Sequence, residues 1–583
     1  MSQKFKYNVV ESLVDLDGFE EIALDFETLG VRDKTVELFS LAAMDDNGNV
    51  YAYAGYPNEI SKLKRFVKGR KIICHNFKFD GQVMLHAGFD VFNFAVEDTI
   101  LMANLLYADS LPSIGLKQLT KHFMQYEMAE WKAVDKDDKE AYAKYAVEDA
   151  VATIYLFKLF RQQVINQKLV TAYQIEKKAM YPIMFMEHWG VEIDFQQADY
   201  LRDLCSTEVE RLETDIHMDA GYVFDIPSTQ QLGTYLFDEL KIPFYDEYLT
   251  SKGNRSTSAA VLEGILKDTS INKSQRKAVQ DIVEFRRLSK LANTYFNNVL
   301  DNARSSADLR CHPDVNQLYV ATGRLSMANP NLQQLPARPI IQDKDKDGEY
   351  TRMDTHIRSM FVPSEGNLFI GMDYSQIELR MLAHFSEDPK MIEAFERDID
   401  YHTWCADLLK IPRSHAKTVN FGILFGLGPY GLAQQIGCTI NEGKKFLADY
   451  YKTFPGIPRL RRVVTDSVLT HKYLRTLGGR KRRLIGDVQD YDEGSIQRAF
   501  MSHLIQGGAA VVMKLGMIKC FDFVRKTGAK LVLSVHDELL FDVPKNDVKD
   551  LGRELQNIME NCIELEVPLK TSLKIGENFA ECK

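Results

Sequence analysis

Apolar and polar residues follow two periods along this chain of 583 residues. In the N-terminal part they run in short apolar stretches bounded by turn residues, which predicts strands at Glu21–Glu27, Val36–Ala43, Val50–Ala54 and Lys71–His75. Asp45–Asn49 reads as the hairpin turn between the second and third of these. The pattern then changes to a helical period. A helix is predicted over Glu140–Gln163, and another over 166–190 that Gly190 closes. Amphipathic helices follow at Gln197–Asp219, Thr229–Leu240 and Ser274–Leu300. Two buried-looking strands stand apart, Leu368–Met372 and Leu531–Val535. No Pro/Gly/Ser-rich linker divides the chain near 166, so the two halves are predicted to pack against each other.

Both isolated strands run into acids, Asp373 after the first and His536-Asp537-Glu538 after the second. A carboxylate at the end of a buried strand is costly unless a cation meets it. Strands that deliver Asp373 and Asp537 to one place would make a site for divalent metals. The N-terminal strands suggest a second such site. Asp25 and Glu27 alternate on one strand and so share a face. Asp80 closes Asn76-Phe-Lys-Phe-Asp80, and Tyr145 and Asp149 lie one helical turn apart. Each cluster alone ordinarily decorates a solvated edge. Together, each beside an apolar run, four converging carboxylates would hold two divalent cations able to hydrolyse a phosphodiester.

Pro412 suits the first turn of a helix. Arg413, Lys417 and Phe421 would then share one stripe. Two cations and a ring suit a nucleoside triphosphate, although a helix with long basic side chains at its rim reads the same way. Thr322-Gly-Arg-Leu-Ser326 and Asn329–Gln334 carry groups suited to sugar and phosphate contacts. The loop Thr250–Thr257 has hydroxyls, Lys and Arg without acids, suiting either a phosphate backbone or plain solvent. Asp343–Asp354 spaces its acids nearly like a calcium loop, but position 12 is Asp and no entering helix precedes it. A solvated loop is the expectation there.

Composition narrows the class only slightly. The chain is 45% apolar and 26% charged, which suits a multidomain globular protein. Eight Cys without metal-type spacing read as reduced thiols. No apolar leader and no 18-residue apolar run are seen, so a cytoplasmic protein without a membrane partner is expected. The net charge of −10 does not announce a nucleic-acid binder. Locally, however, Arg459, Arg461, Arg462, Lys472, Arg475 and Arg480–Arg483 supply nine cations against Asp466 alone. That stretch reads either as a phosphate-binding groove or as a solvated basic face.

The N-terminal set, Asp25-x-Glu27, Asn76 to Asp80 and Tyr145-x-x-x-Asp149, resembles the DEDD 3′–5′ exonucleases with Tyr in the third motif. Asp373-Tyr-Ser-Gln-Ile-Glu-Leu-Arg380, Arg413-x-x-x-Lys-x-x-x-Phe-Gly422 and Val535-His-Asp-Glu538 occur in that order after Thr322-Gly-Arg. They resemble the family A DNA polymerases, bacterial and phage-type, over nearly the whole chain. The resemblance implies an α/β and α+β multidomain fold. A ribonuclease H-like exonuclease domain at 1–165 would precede a right-hand polymerase at 166–583. Thumb would lie at about 190–305, palm at about 306–385 and 505–583, and fingers at about 386–504.

It also implies roles. Asp373 and Asp537 would bind two Mg2+ ions, with Glu538 beside them. Asp25, Glu27, Asp80 and Asp149 would bind two more, with Mn2+ as a substitute, and Tyr145 would position the attacking water. Lys417 and Arg413 would meet the incoming phosphates, Phe421 the sugar, and Glu378 would exclude a ribose 2′-hydroxyl. Gln376 and His402 would complete the nucleotide site. Arg324, Asn331, Gln333, Arg498, Gln506, His536 and Phe425 would grip the primer–template, and Arg380 would brace the site. Primer–template DNA and deoxynucleoside triphosphates are the implied partners, with replisome proteins possible, no evident thioredoxin-binding insert, and a monomer expected.

The chain departs from the family pattern at Phe425, Ser502 and Ser534, where Tyr, Asn and Gln are usual. The connection from His402 to Arg413 is short, and no 5′ nuclease segment precedes the exonuclease. These features point to a phage-type replicative enzyme. Two other readings stand beside it, an exonuclease whose polymerase half mainly binds DNA and a non-catalytic DNA scaffold.

Overall fold

The computed structural model describes residues 5–582 apart from Val31, Ser251, Ala337, 345–349 and Phe425. The predicted N-terminal strands assemble into one six-stranded sheet. Its order is Asn8–Val9, Val50–Gly55, Val36–Met44, Glu21–Thr28, Lys71–Cys74, Ala95–Asp98. The three long strands form an antiparallel meander, and Lys71–Cys74 and Ala95–Asp98 add to it in parallel. Asp45 makes the hairpin turn by accepting the backbone N–H of Asn47 at 2.9 Å and of Asn49 at 2.8 Å. The helix Lys139–Asn166 starts on an Asp138 cap and crosses the sheet. Ser40 on the second long strand donates to the Ala146 carbonyl at 2.7 Å and pins that crossing.

The C-terminal part is built on a four-stranded antiparallel sheet, ordered Lys530–Val535, Glu538–Pro544, Asn367–Tyr374, Thr571–Gly576. Leu368–Met372 thus lies in an interior strand, which is why it reads as a continuous apolar run. Behind the sheet lies the helix Glu493–Val524. By length and composition it could cross a membrane, but 83% of its most apolar window is buried inside the fold, as in a core helix. The helices predicted between 195 and 300 are present as Phe195–Ala220, Thr229–Thr234, Lys273–Lys290 and Asn297–Ser305. Two of them differ from expectation by a wide π-turn, at Tyr235–Glu239 and Leu291–Phe296. A 3.6-residue apolar period does not mark such turns, because the added residue keeps the apolar face buried.

The helix Val170–Trp189, closed by Gly190 at φ 59°, joins the two parts. It is apolar on two faces. Ala172, Tyr173, Met180 and Met184 enter the N-terminal core, while Ala179, Ile183 and Met186 enter the C-terminal one. Between those faces sits a buried acid, Glu176. It accepts from Lys514 Nζ at 2.7 Å, Arg480 Nη2 at 2.9 Å and Gln317 Nε2 at 2.8 Å. Arg480 also donates to Asn104 Oδ1 at 3.0 Å, so the cluster spans both parts. Removing one member of such a buried ion cluster typically costs about 3–5 kcal/mol. The two halves therefore pack together as expected.

That seam corrects the reading of the basic stretch. Arg475 caps the carbonyls of Gln167 (2.8 Å) and Lys168 (3.2 Å). Lys481 and Arg483 reach Gln167 Oε1 at 3.4 and 3.0 Å, and Arg480 is 8% exposed. These four cations hold domains together, while Arg459, Arg462 and Lys472 of the same stretch stay exposed. Arg461 is likewise engaged by Gln497 at 2.5 Å. In the Thr250–Thr257 loop, Arg255 forms an exposed pair with Asp238 through two contacts of 2.6 Å. In the acidic loop, where 345–349 lie outside the described residues, Asp354 pairs with Arg352 at 2.9 and 3.0 Å. Its carboxylate, the twelfth position of the calcium-like spacing, is thus already occupied by a guanidinium.

Candidate active sites

In the N-terminal sheet, alternation along Glu21–Thr28 brings Asp25 and Glu27 to the face that the helix Lys139–Asn166 covers. Asp149 descends from that helix. Ligand oxygens of Asp25, Glu27 and Asp149 all lie within 4.8 Å of one another. Asp80 reaches the same region from the helix Phe77–His86, but one of its oxygens is engaged: it accepts the Phe26 N–H at 3.1 Å. That helix is aimed by its start. Asn76 takes a left-handed backbone at φ 82°, a conformation Asn tolerates. Asp98 accepts the N–H groups of Asn76 at 3.1 Å and Phe77 at 2.8 Å.

Gathering these acids is electrostatically unfavourable. Burial pushes Asp25 well above the usual carboxylate range, and the neighbouring Asp80, Asp149 and Glu27 add to it. Burial, then Asp149 and Asp80, pushes Glu27 up to about 8. Burial takes Asp80 to about 8 and Asp149 to about 7. Asp149 Oδ1 is buried without a hydrogen-bond partner. An orphaned carboxylate oxygen among hard oxygen donors fits a divalent cation of the Mg2+ or Mn2+ type. Tyr145 stands one turn before Asp149, its phenol raised by burial and then by these carboxylates. The phenol oxygen accepts from Lys117 Nζ at 3.1 Å. Lys117 carries no sequence signal of its own, and only folding places it here.

In the C-terminal sheet, Asp373 pairs across the strands with Glu538 and Ser572. Tyr374 N–H donates to the Asp537 carbonyl at 3.1 Å, so the two predicted aspartates sit on adjoining backbone. Asp537 lies in the two-residue turn between Val535 and Glu538, where His536 takes φ 55°. Arg324 joins the centre from a distant loop. Its Nη2 is 2.7 Å from Glu378 Oε1 and 3.6 Å from Asp537 Oδ1. Burial raises Asp537, and Arg324 and His536 oppose that. Burial also raises Glu378, against the pull of Arg324. Gly323 precedes Arg324 at φ 84°, and a Cβ there would meet Arg480 Nε at 3.1 Å, so the loop rests on the domain seam.

The remaining predicted residues are placed as follows. Gln376 caps the helix Ile377–Ser386 in a left-handed conformation, with Oε1 buried and unpartnered. Arg380 is buried and braces the turn through the Ser375 carbonyl at 2.8 Å. Glu538, the cross-strand partner of Asp373, has a carboxylate oxygen 3.8 Å from the buried Arg358. On the helix Arg413–Leu424, Lys417 and Arg413 are exposed and Phe421 is half-buried. Arg413 currently grips Asp400, at 2.9 and 3.3 Å. His402 is buried, bonded to Asn420 at 3.0 Å, with its ring 5.5 Å from that of Phe421. Burial, then Arg413 and Lys417, lower its pKa against Asp400. Arg498 packs on Gly426 at the end of the same helix, and Gln506 is half-buried on the core helix. Asn331 accepts the Gln333 N–H at 3.1 Å, and Gln333 Nε2 donates to the Ser534 carbonyl at 3.2 Å. Phe425 lies outside the described residues.

Two carboxylate centres on two sheets, joined by one helix, invite comparison with known proteins. A family model described as DNA polymerase family A matches residues 196–581, and one described as 3′-5′ exonuclease matches 6–165. DNA polymerase I of Borreliella burgdorferi is 28% identical over 620 residues, covering 100% of this chain and 65% of its own length. The thermostable DNA polymerase I of Thermus aquaticus is 35% identical over 435 residues, covering 72% of this chain and 49% of its own. The chain thus spans about half to two thirds of the length of these relatives. The solved POL domain of Pol1 from M. smegmatis, in complex with DNA primer-template and dNTP, matches in fold with a TM-score of 0.83. That match covers 98% of this chain and 97% of the other at 24% identity. With more than half of its residues inside the polymerase model and a 3′-5′ exonuclease model before it, the chain belongs to DNA polymerase family A.

Proposed function

We propose that this chain extends a DNA primer under template direction and removes nucleotides from the primer 3′ end at a second, separate site. The observation that carries the reading is that Asp373, on a central strand, and Asp537, in the adjoining turn, lie on neighbouring backbone, with Arg324 on Asp537 and Glu378. In this reading the exonuclease domain spans 1–165 and the polymerase 166–583, with thumb, palm and fingers as the resemblance implies. Two Mg2+ ions at each centre, with Mn2+ as substitute, would activate the attacking oxygen and stabilise the leaving one.

The residues divide the remaining work. Asp373 and Asp537 hold the polymerase cations, and Asp25, Glu27, Asp80 and Asp149 those of the exonuclease. Lys417 and Arg413 receive the triphosphate, and Lys417 supplies a proton to the leaving pyrophosphate. For this Arg413 must exchange Asp400 for phosphate, an exchange that its exposed position permits. Phe421 and His402 flank the sugar and phosphates beside Gln376. Glu378, fixed by Arg324, blocks a ribose 2′-hydroxyl. Arg324, Asn331, Gln333, Arg498, Gln506, His536 and Phe425 are assigned to the primer–template by the resemblance, while Glu538 supports the Asp537 turn through Arg358. A phage-type, replicative role in a host cytoplasm rests on Phe425, Ser502, Ser534 and the short His402–Arg413 connection, although the relatives above are bacterial.

Primer extension with Mg2+ and deoxynucleotides tests the reading. Wild-type chain should extend and Asp537→Ala should not. Absence of extension by wild type, with degradation intact, would leave an exonuclease whose larger half only binds DNA.

A further inference from the structure

Lys117 is placed where helix chemistry alone would not put it. It is the second residue of the helix Leu116–Met124, whose N-cap, Gly115, offers no side-chain cap. A cation in the first turn opposes the helix dipole by about 0.3–1 kcal/mol. Its carboxylate partner, Glu130, is 3.9 Å away with a side chain 77% exposed, so that pair contributes little. What faces the ammonium instead is the exonuclease centre. Nζ lies 3.1 Å from the Tyr145 hydroxyl and 4.9 Å from the centre of its ring. Lys117 also acts electrostatically on Asp25, Glu27 and Asp149, in each case favouring the charged carboxylate.

The donor arithmetic at the phenol gives this contact a direction. An ammonium has no lone pair, so it can only donate, and the Tyr145 oxygen must accept. The phenol keeps its single proton for a partner on its other side, where Asp149 and the cluster lie. A charged donor on the oxygen also polarises the O–H and makes it the stronger donor.

We propose that Lys117 is a positioning residue of the exonuclease centre, holding Tyr145 as a hydrogen-bond donor toward the scissile phosphate and its attacking water. The inference rests on the exonuclease reading above. It requires no covalent step by Lys117. The ammonium acts through Tyr145, so its loss lowers turnover more than substrate binding.

The test measures kcat and KM for degradation of a single-stranded oligonucleotide by the full chain with Mg2+. Lys117→Gln is expected to lower kcat by ~10- to 100-fold, the worth of a charge-assisted hydrogen bond, with KM within ~3-fold. Lys117→Arg should restore most of the loss, because a guanidinium can still donate to the phenol. Added to Tyr145→Phe, Lys117→Gln should cost no more than ~2-fold further, since residues acting as one unit are not additive. Unfolding midpoints of all variants report on folding. Wild-type kcat in Lys117→Gln, a change confined to KM, or full additivity with Tyr145→Phe would overturn the inference. Asp25→Ala with Glu27→Ala separates the two levels. If that variant still degrades DNA, the exonuclease reading itself fails; if it is inactive while Lys117→Gln is wild type, only the role of Lys117 falls.

Discussion

In the proposed exonuclease centre three carboxylates converge within 4.8 Å, and one of their oxygens has no hydrogen-bond partner. In the proposed polymerase centre Arg324 reaches both Glu378 and Asp537, and Asp373 is exposed to solvent. One site keeps its acids under a helix, with Lys117 nearby but bonded to Tyr145, and leaves most of the compensating charge to arrive with the ligand. The other has a guanidinium in direct contact with its acids and an open face. The difference follows from architecture. Asp25 and Glu27 lie on a sheet face that a 28-residue helix covers, and Asp149 meets them from that helix. The polymerase acids lie at the end of a sheet, at a turn. A covered acid cluster binds cations strongly but is unstable without them, while a partly compensated one can stay open for a large substrate.

The strongest way to break the comparison is to remove the covered acids. Asp25→Ala with Glu27→Ala should reduce single-strand degradation by at least ~10³-fold while primer extension persists. Extension lost in parallel would show that the two centres are not separate. Next in size is the internal cation. Arg324→Ala leaves Glu378 and Asp537 without their guanidinium and should lower extension by about 10²-fold, as loss of a charge-assisted contact does. Single-strand degradation is expected to hold. An unchanged extension rate would mean that the acids of the open site need no cation of their own.

A smaller effect should appear in stability. Glu27 and Asp80 are pushed up to about 8 and Asp149 to about 7 in the folded chain, against about 4 when unfolded. Raised carboxylates mean that the folded state binds more protons, so metal-free stability falls as pH rises from about 4 to about 8. Bound cations remove that penalty. Magnesium should therefore raise the midpoint of the exonuclease domain by several degrees more at pH 8.5 than at pH 6. Equal shifts at both pH values, read by calorimetry with and without chelator, would contradict the assignment of those acids as ligands.

Much of this was legible in the sequence because the acids stand beside strong strand signals. Asp25 and Glu27 share a face by alternation alone, and Asp149 follows Tyr145 by one turn. Leu368–Met372 announces an interior strand, and the palm-like sheet grows from it. What could not be read is what distant segments bring. Arg324 meets Glu378 across 54 positions, and Lys117 meets Tyr145 across 28. Arg324 stands in the Thr322-Gly-Arg motif, but nothing local shows that it meets Glu378, and Lys117 carries no pattern at all. The basic stretch misled for the same reason. Charge density along the chain cannot tell whether cations face a phosphate or a neighbouring domain, and Glu176, which claims Arg480, lies 304 residues earlier. Glu538 could be placed beside Asp537 but not aimed. Gly371, whose missing Cβ leaves Glu538 Oε1 only 3.2 Å from that position, opens the path toward Arg358.

The smallest effect is also the most discriminating, because it separates a compensated acid from an uncompensated one. Neutralising one acid in each centre without changing its shape should move metal-free stability by unequal amounts. Glu27→Gln removes a charge whose burial, with Asp149 and Asp80 nearby, is unfavourable at pH 8, so the exonuclease domain should gain on the order of 1 kcal/mol in chelator. Burial raises Glu378 as well, but Arg324, 2.7 Å away, opposes that. Glu378→Gln keeps an amide oxygen for the partly exposed guanidinium, so stability should change by no more than about 0.5 kcal/mol. Denaturant midpoints at pH 8 in chelator, followed for each domain, would show a clear rise for the first and little change for the second. No rise for Glu27→Gln would mean that hydrogen bonds hold the exonuclease acids more firmly than their repulsion drives them apart. An equal rise for Glu378→Gln would mean that Arg324 does not compensate the polymerase acids.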